Sequence, residues 1–305
     1  MGMLTEAFER VAREHANRPA IWSRGEGRRL TFSTFAEEVH CLGRALTVEP
    51  GVPAALATGN GIAFVELFLA LRILDVPVVA MDGGLPTREK EAVCRRLGIG
   101  TILHAGYEGE EVASGVRSWR LPGVSPIMPP SGTSLVKLTS GSTGEPLGAC
   151  FSEEGLLTGI TQIGEGMELT SQDHVLIVIP LSHSYGFDNG VLSLAVLGTP
   201  LVIEPSFYPA SVLAALVEAQ VTFLPVVPPL VRPLAGAQWP ALPLRRVICA
   251  GGPLAPEPAR AFFLSSGRPS ISSTAPPRAA ASPSSGNRSS LGPREPSVAR
   301  FPESR

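Results

Sequence analysis

Lysine is nearly absent from this chain: of its 25 Lys and Arg residues only Lys90 and Lys137 are lysines. With 32 Gly and 30 Pro, that arginine-for-lysine usage points to a GC-rich coding sequence. Charge is also scarce, at 17% of residues with a net charge of -2. No excess of either sign is available to build a polyanion-binding face, so nucleic acid is not expected as a partner. Four cysteines (Cys41, Cys94, Cys150 and Cys249) lie far apart and form no CxxC pair. Their spacing supports neither a zinc site nor a disulfide framework, and reduced thiols in a cytoplasmic protein are expected. No window approaches the roughly 18 uninterrupted apolar residues of a membrane span. The opening MGMLTEAFERVAREHANRP is charged and lacks the apolar stretch of a signal peptide.

What the chain does have is a 44% apolar fraction, distributed in alternating short runs. Leu4, Ala7, Phe8 and Val11 fall at helical spacing, closed by Asn17-Arg18-Pro19. Strands are expected at Ala20–Trp22 and Leu30–Phe32, and a helix from Ser33 with Phe35, Val39, Leu42 and Leu46 on its apolar side. Apolar strands follow at Ala54–Ala57, Val76–Ala80, Thr101–His104, Ser134–Leu138, Val175–Pro180, Leu201–Ile203, Val221–Leu224 and Arg246–Cys249. Helices are expected between several of them, at Ile62–Arg72, near Glu153–Gly164, over 209–219 and from Pro256. Buried strands separated by helices predict an α/β protein with layered, largely parallel sheets.

Near residue 265 the composition changes. The stretch SSGRPSISSTAPPRAAASPSSGNRSSLGPREPSVARFPESR is dominated by Ser, Pro, Ala and Arg. It offers too little apolar surface to offset the entropy of ordering, so 267–305 is expected to be a disordered, low-complexity tail after a domain spanning 1–266.

One segment carries chemistry. Residues 137–148 read KLTSGSTGEPLG, with Thr139–Gly144 expected as the loop after a strand. Gly141 and Gly144 permit positive φ and close backbone approach, so successive N–H groups can converge on phosphate oxygens. Thr139, Ser140, Ser142 and Thr143 add hydroxyl donors. No Lys-Ser/Thr pair follows, so this is not a Walker A loop. On its own such a run is most often a plain turn. In context, TSGSTGEP after an apolar strand resembles the phosphate-binding motif of the adenylate-forming (AMP-binding) superfamily, which includes acyl-CoA synthetases, aryl-CoA ligases, luciferases and peptide-synthetase adenylation domains. RRLTFSTFAEEVHCLGRAL and GNGIAFVELFLALRILDVPVVAMDGGLP resemble that family's opening segments, in order. IPLSHSYGFDNG resembles its second core motif, and LRRVICAGGPLAPE its Gly-rich strand end.

The resemblance implies an incomplete N-terminal adenylation domain. Thr139, Ser140, Gly141, Ser142, Thr143 and Gly144 would hold the phosphates of ATP. His183 would lie near the pocket for a small carboxylic acid, and Gly251, Gly252 and Pro253 would line the adenine or acyl pocket. Read alone, His183 is a packed polar residue at a strand end and Gly251–Pro253 a strand-to-helix turn. The family's chemistry joins a carboxylate to the α-phosphate of ATP, releasing pyrophosphate, commonly with Mg²⁺. A thiol, that of coenzyme A or phosphopantetheine, then takes the acyl group.

The chain also departs from the family. The loop ends Pro146-Leu147-Gly148, where the family has Pro-Lys-Gly. The expected Tyr-Gly-x-x-Glu segment, the ribose-binding Asp and the small C-terminal domain with its catalytic Lys are not in this sequence. Yet permitted synonymous codons for Pro269–Arg278, read one base out of register, can spell Ile-His-Gln-Leu-Tyr-Gly-Ser-Ser-Glu. The expectation is therefore a frameshifted, truncated product of an acyl-CoA-synthetase-like gene, with acid activation impaired or lost. Two other readings stay open: a noncatalytic fragment retaining ligand or partner binding, and an unrelated α/β nucleotide binder. Aromatics, at 6%, indicate neither an aryl nor a fatty acid, and the sequence is silent on oligomeric state.

Overall fold

A computed structural model describes residues 2–140, 146–267, 271–273 and 299–300. In chain order the elements are α1 (Met3–Glu14), β1 (Pro19–Ser23), β2 (Arg28–Thr31), α2 (Phe32–Ala45), β3 (Ala54–Ala57), α3 (Ile62–Ile73), β4 (Val78–Ala80), α4 (Thr87–Arg96), β5 (Thr101–His104), β6 (Glu110–Ala113), β7 (Val116–Arg120) and β8 (Thr133–Ser140). They continue with β9 (Pro146–Ser152), α5 (Glu153–Met167), β10 (Val175–Ile177), the single turn α6 (Ser184–Gly186), a π-helix (Phe187–Leu197), β11 (Leu201–Ile203), α7 (Pro209–Glu218), β12 (Phe223–Val226), α8 (Pro228–Ala235), β13 (Arg246–Cys249), α9 (Pro256–Ser266), β14 (Ile271–Ser273) and β15 (Ala299–Arg300).

Two sheets organise these elements. The first is 7-stranded, in the order β14-β13-β12-β10-β11-β1-β2, and is parallel except for β2. The second is 8-stranded, in the order β15-β9-β8-β4-β3-β5-β7-β6. Its centre, β8-β4-β3-β5, is parallel, and antiparallel strands flank it on both sides. This is the α/β layering that the apolar runs predict.

Helix α3, IAFVELFLALRI, is apolar on nearly every face, the mark of a helix enclosed on all sides. It packs against β3 and β4 of one sheet and β1 of the other, so it lies between them. Phe64, Val65, Leu67, Phe68, Leu69 and Leu71 are all buried there. None of the described helices is long and apolar enough to cross a membrane.

Several local expectations shift. Helix α2 begins at Phe32 and not at Ser33, because Thr31 and Thr34 form a reciprocal capping box: the Thr34 N–H donates to the Thr31 hydroxyl at 3.3 Å and the Thr31 N–H to the Thr34 hydroxyl at 3.0 Å. Thr139 and Ser140 belong to β8 and not to the loop, since β9 pairs with them through Leu147 and Pro146. The sheet runs past residue 266, with Ile271–Ser273 parallel to Val247–Cys249. The rest of the expected tail lies outside the described residues, except for Ala299–Arg300, which pairs with Ala149–Cys150.

Candidate active site

The TSGSTGEP segment sits on a β-hairpin. Strands β8 and β9 pair in the register Leu135↔Phe151, Lys137↔Ala149, Thr139↔Leu147 and Ser140↔Pro146. Gly141, Ser142, Thr143 and Gly144 fall between the paired ends and lie outside the described residues. Because side chains alternate along a strand and register partners face alike, positions 135 and 137 share a face with 149 and 151. Leu147 is the register partner of Thr139, the pair next to the root of the loop.

The second motif forms a hook at the carboxyl end of β10. The chain leaves the strand through Ile179 and Pro180, and the His183 N–H turns back to the Pro180 carbonyl at 3.2 Å. His183 is exposed and caps α6, whose turn leads directly into the π-helix. Such wide helices are uncommon and are frequent at functional sites. Only glycine fits at 186, where a Cβ would stand 2.2 Å from the Pro180 carbonyl oxygen. Tyr185 then reaches across the sheet: its hydroxyl donates to the Ile248 carbonyl of β13 at 2.7 Å. Burial, above all, pushes that phenol well above its ordinary range, so it stays protonated.

That bond ties the His183 hook to the third motif. Strand β13 ends at Cys249, and Gly251 follows with φ of +85°, a backbone conformation that suits glycine. His183 and Gly251–Pro253 thus stand beyond the carboxyl ends of β10 and β13, parallel strands on either side of β12, and open α/β sheets bind their ligands at such ends.

The hairpin joins the same region through an ion pair that sequence reasoning missed. Lys137 Nζ lies 2.7 Å from Asp188 Oδ1, and its side chain is only 6% exposed. It stands 5.0 Å from the Phe151 ring centroid and 5.2 Å from that of Phe187. Burial pushes the Asp188 carboxyl up and Lys137 opposes that shift. Lys137 precedes the loop on β8 and Asp188 follows His183 on the π-helix, so one side-chain contact sets the first motif against the second. A lysine inside the apolar run LVKLT was the available signal. Asn60 makes a second link between the two sheets, through Ile179 and Leu181. Three thiols are buried with their pKa values raised by burial, Cys94 to about 12, and none resembles an activated nucleophile.

The sequence profile of the AMP-binding enzyme family matches residues 8–273. The chain belongs to that family. A feruloyl-CoA synthase from Amycolatopsis sp is 26% identical over 263 residues, covering 80% of this chain and 54% of that protein. The 4-coumarate–CoA ligase 4 of Arabidopsis thaliana is 33% identical over 112 residues, 35% of this chain and 20% of its own length. The chain thus spans about half the length of the feruloyl-CoA synthase it matches. Among solved structures, the N-terminal domain of FACL13 from Mycobacterium tuberculosis superposes with a TM-score of 0.74 at 17% identity, covering 87% of this chain and 73% of that one. The o-succinylbenzoate coenzyme A synthetase of Bacillus subtilis, in complex with AMP, gives 0.71 at 21%, covering 84% and 70%. These likenesses identify the fold as the N-terminal domain of adenylate-forming enzymes.

Proposed function

We propose that this AMP-binding domain descends from an ATP-dependent acid–thiol ligase of the acyl-CoA synthetase type. In this reading Thr139, Ser140, Gly141, Ser142, Thr143 and Gly144 hold the nucleotide phosphates through backbone and hydroxyl donors. His183 borders the carboxylate of a small acid, and Gly251, Gly252 and Pro253 line the adenine or acyl pocket. The observation that carries it is the Lys137–Asp188 bridge, which seats the root of the phosphate hairpin against the His183 segment. An unrelated nucleotide binder would have no reason to bring these two sequence motifs together. The parent reaction would join the acid's carboxylate oxygen to the α-phosphorus and expel pyrophosphate. The thiol would then attack the acyl carbon and release AMP. Catalysis of the first step rests on positioning and on neutralising developing charge.

Two parts of that machinery have no counterpart here. Leu147 stands where the family carries a cation, and the Tyr-Gly-x-x-Glu segment is missing after Arg268. We therefore read the chain as a domain that binds nucleotide and acid with little or no turnover, in a cytoplasmic setting and with coenzyme A or phosphopantetheine as the parent's acceptor. Pyrophosphate release, measured with a panel of carboxylic acids, ATP and Mg²⁺, should stay at background, while calorimetry should detect AMP binding. Robust turnover would overturn the loss of activity, and absence of AMP binding would overturn the nucleotide site. The proposed origin of the tail, a one-base shift within the Pro269 codon, is tested by the gene. Restoring one base should open a long frame carrying Tyr-Gly-x-x-Glu, and a frame that closes at once would refute it.

A further inference from the structure

Asn60 lies in the loop between β3 and α3, at the carboxyl end of a central strand of the second sheet. Its side-chain amide crosses to the first sheet and pairs with the backbone there as a neighbouring strand would. Nδ2 donates to the Ile179 carbonyl at 2.9 Å, and the Leu181 N–H donates to Oδ1 at 2.8 Å. Only one orientation of the carboxamide satisfies both bonds. Pro180, between the two partners, has no N–H to offer, so Asn60 takes the groups on this side of the hook that a strand neighbour could reach.

The other side of the hook is fixed as well. The Pro180 carbonyl receives the His183 N–H, and the α6 backbone closes over it at Gly186. Asn60 is in turn held from behind: the Glu26 carboxylate accepts the Ile62 N–H at the first residue of α3, at 3.2 Å. A continuous path therefore runs from Glu26 through the start of α3 to Asn60, to residues 179–181, and to His183.

We propose that Asn60 is a positioning residue for His183, its carboxamide fixing the hook that presents the imidazole to the acid site. The assignment of His183 to that site rests on the function proposed above; the positioning itself does not. The test is amide hydrogen exchange resolved to single residues, together with the ring chemical shifts of His183, in the full chain and in Asn60→Ala and Asn60→Asp. Asn60→Ala should speed exchange at Leu181 by roughly 10-fold, as loss of one protecting hydrogen bond of about 1–1.5 kcal/mol implies. It should also shift the His183 ring signals while leaving β12 and α5 protected. Asn60→Asp keeps the acceptor for Leu181 and loses the donor to Ile179, so it should fall between the other two and serve where the alanine variant folds poorly. Unchanged protection at Leu181 with unchanged His183 shifts would overturn the proposal. So would an even loss of protection across both sheets, which would make Asn60 a stability residue only. Because exchange needs no ligand, this outcome is independent of whether calorimetry finds AMP or, as probe acid, ferulate bound to the wild-type chain. Where both bind, Asn60→Ala should weaken ferulate and spare AMP.

Discussion

Lys137 and Asp188 meet at 2.7 Å under the β8–β9 hairpin, one from the strand that leads into the loop and one from the π-helix that follows His183. The contact does two things. It neutralises a lysine enclosed by Phe151 and Phe187, and it fixes the distance between two segments that are far apart in sequence.

Removing the lysine alone should be costly, because it strands a carboxylate that burial already disfavours. Breaking a fully buried pair costs about 3–5 kcal/mol. The Asp188 side chain is 25% exposed, so Lys137→Met should cost less, about 2–3 kcal/mol. The double variant Lys137→Met/Asp188→Leu should recover most of that loss, since apolar replacement of both partners removes the desolvation penalty with the attraction. Urea denaturation of the four members of the cycle measures this. Additive losses would show that the two side chains do not depend on each other.

Asp173 anchors the amino-terminal ends of β10, β12 and β13 in the first sheet. Its side chain is 2% exposed and accepts from Arg245 at 2.7 Å, from the Thr222 hydroxyl at 2.7 Å and from the Thr170 N–H at 2.9 Å. Burial alone would raise its pKa, but these bonds outweigh burial and hold it below the ordinary carboxylate value. A depressed folded pKa gives stability that is present above the unfolded value and lost as pH falls through the folded one. Asp173→Asn should therefore destabilise by about 2–3 kcal/mol at neutral pH and by less under acid conditions. Thermal melts from neutral pH down to acid should show the two curves converging, with AMP affinity unchanged.

Glu66 has the reverse sign. It is buried on α3, and burial, then the neighbouring Glu38, pushes its carboxyl from 4.5 up to about 8. Between those values the folded state holds a proton that the unfolded state has released, so stability falls as pH rises through that window, by up to about 1.4 kcal/mol per unit. Glu66→Gln removes the ionisation. Its melting temperature should match wild type near pH 5 and exceed it increasingly towards pH 8. Parallel curves would place the titration elsewhere.

The strands that bury both faces were legible because short apolar runs such as AALA, TILH and RVIC, bounded by turns, suit a sheet interior, and β3, β5 and β13 fall where those runs predict. What escaped notice was amphipathic or polar. Strands β6 and β7 carry charges on a sheet edge, and α8 is masked by its prolines at 228, 229 and 233. The site divides the same way. Gly251 and His183 were proposed through motifs, which are local. Lys137–Asp188 and Asn60–Leu181 were not, because each joins segments that only the stacking of two sheets brings together. A sequence shows that a lysine is out of place in LVKLT; it does not show which carboxylate receives it.

Leu147 offers the sharpest test of the nucleotide site. It is the register partner of Thr139, so position 147 lies next to the loop in the β8–β9 pairing. A leucine contributes no charge, whereas a lysine on its flexible four-carbon stem can reach an anion bound at the loop. A charge-assisted hydrogen bond contributes about 1.5–3 kcal/mol, so Leu147→Lys should tighten ATP binding by roughly 10-fold or more. AMP lacks the β and γ phosphates, and its affinity should stay within about twofold of wild type, the change of a contact worth less than about 0.5 kcal/mol. The gain for ATP should shrink as salt is raised, because an exposed charge pair is screened. Calorimetric titrations of both nucleotides at two ionic strengths separate the outcomes. An equal gain for AMP would mean that the lysine acts on the α-phosphate or on the protein. No gain for ATP would mean that the β and γ phosphates do not come within reach of position 147.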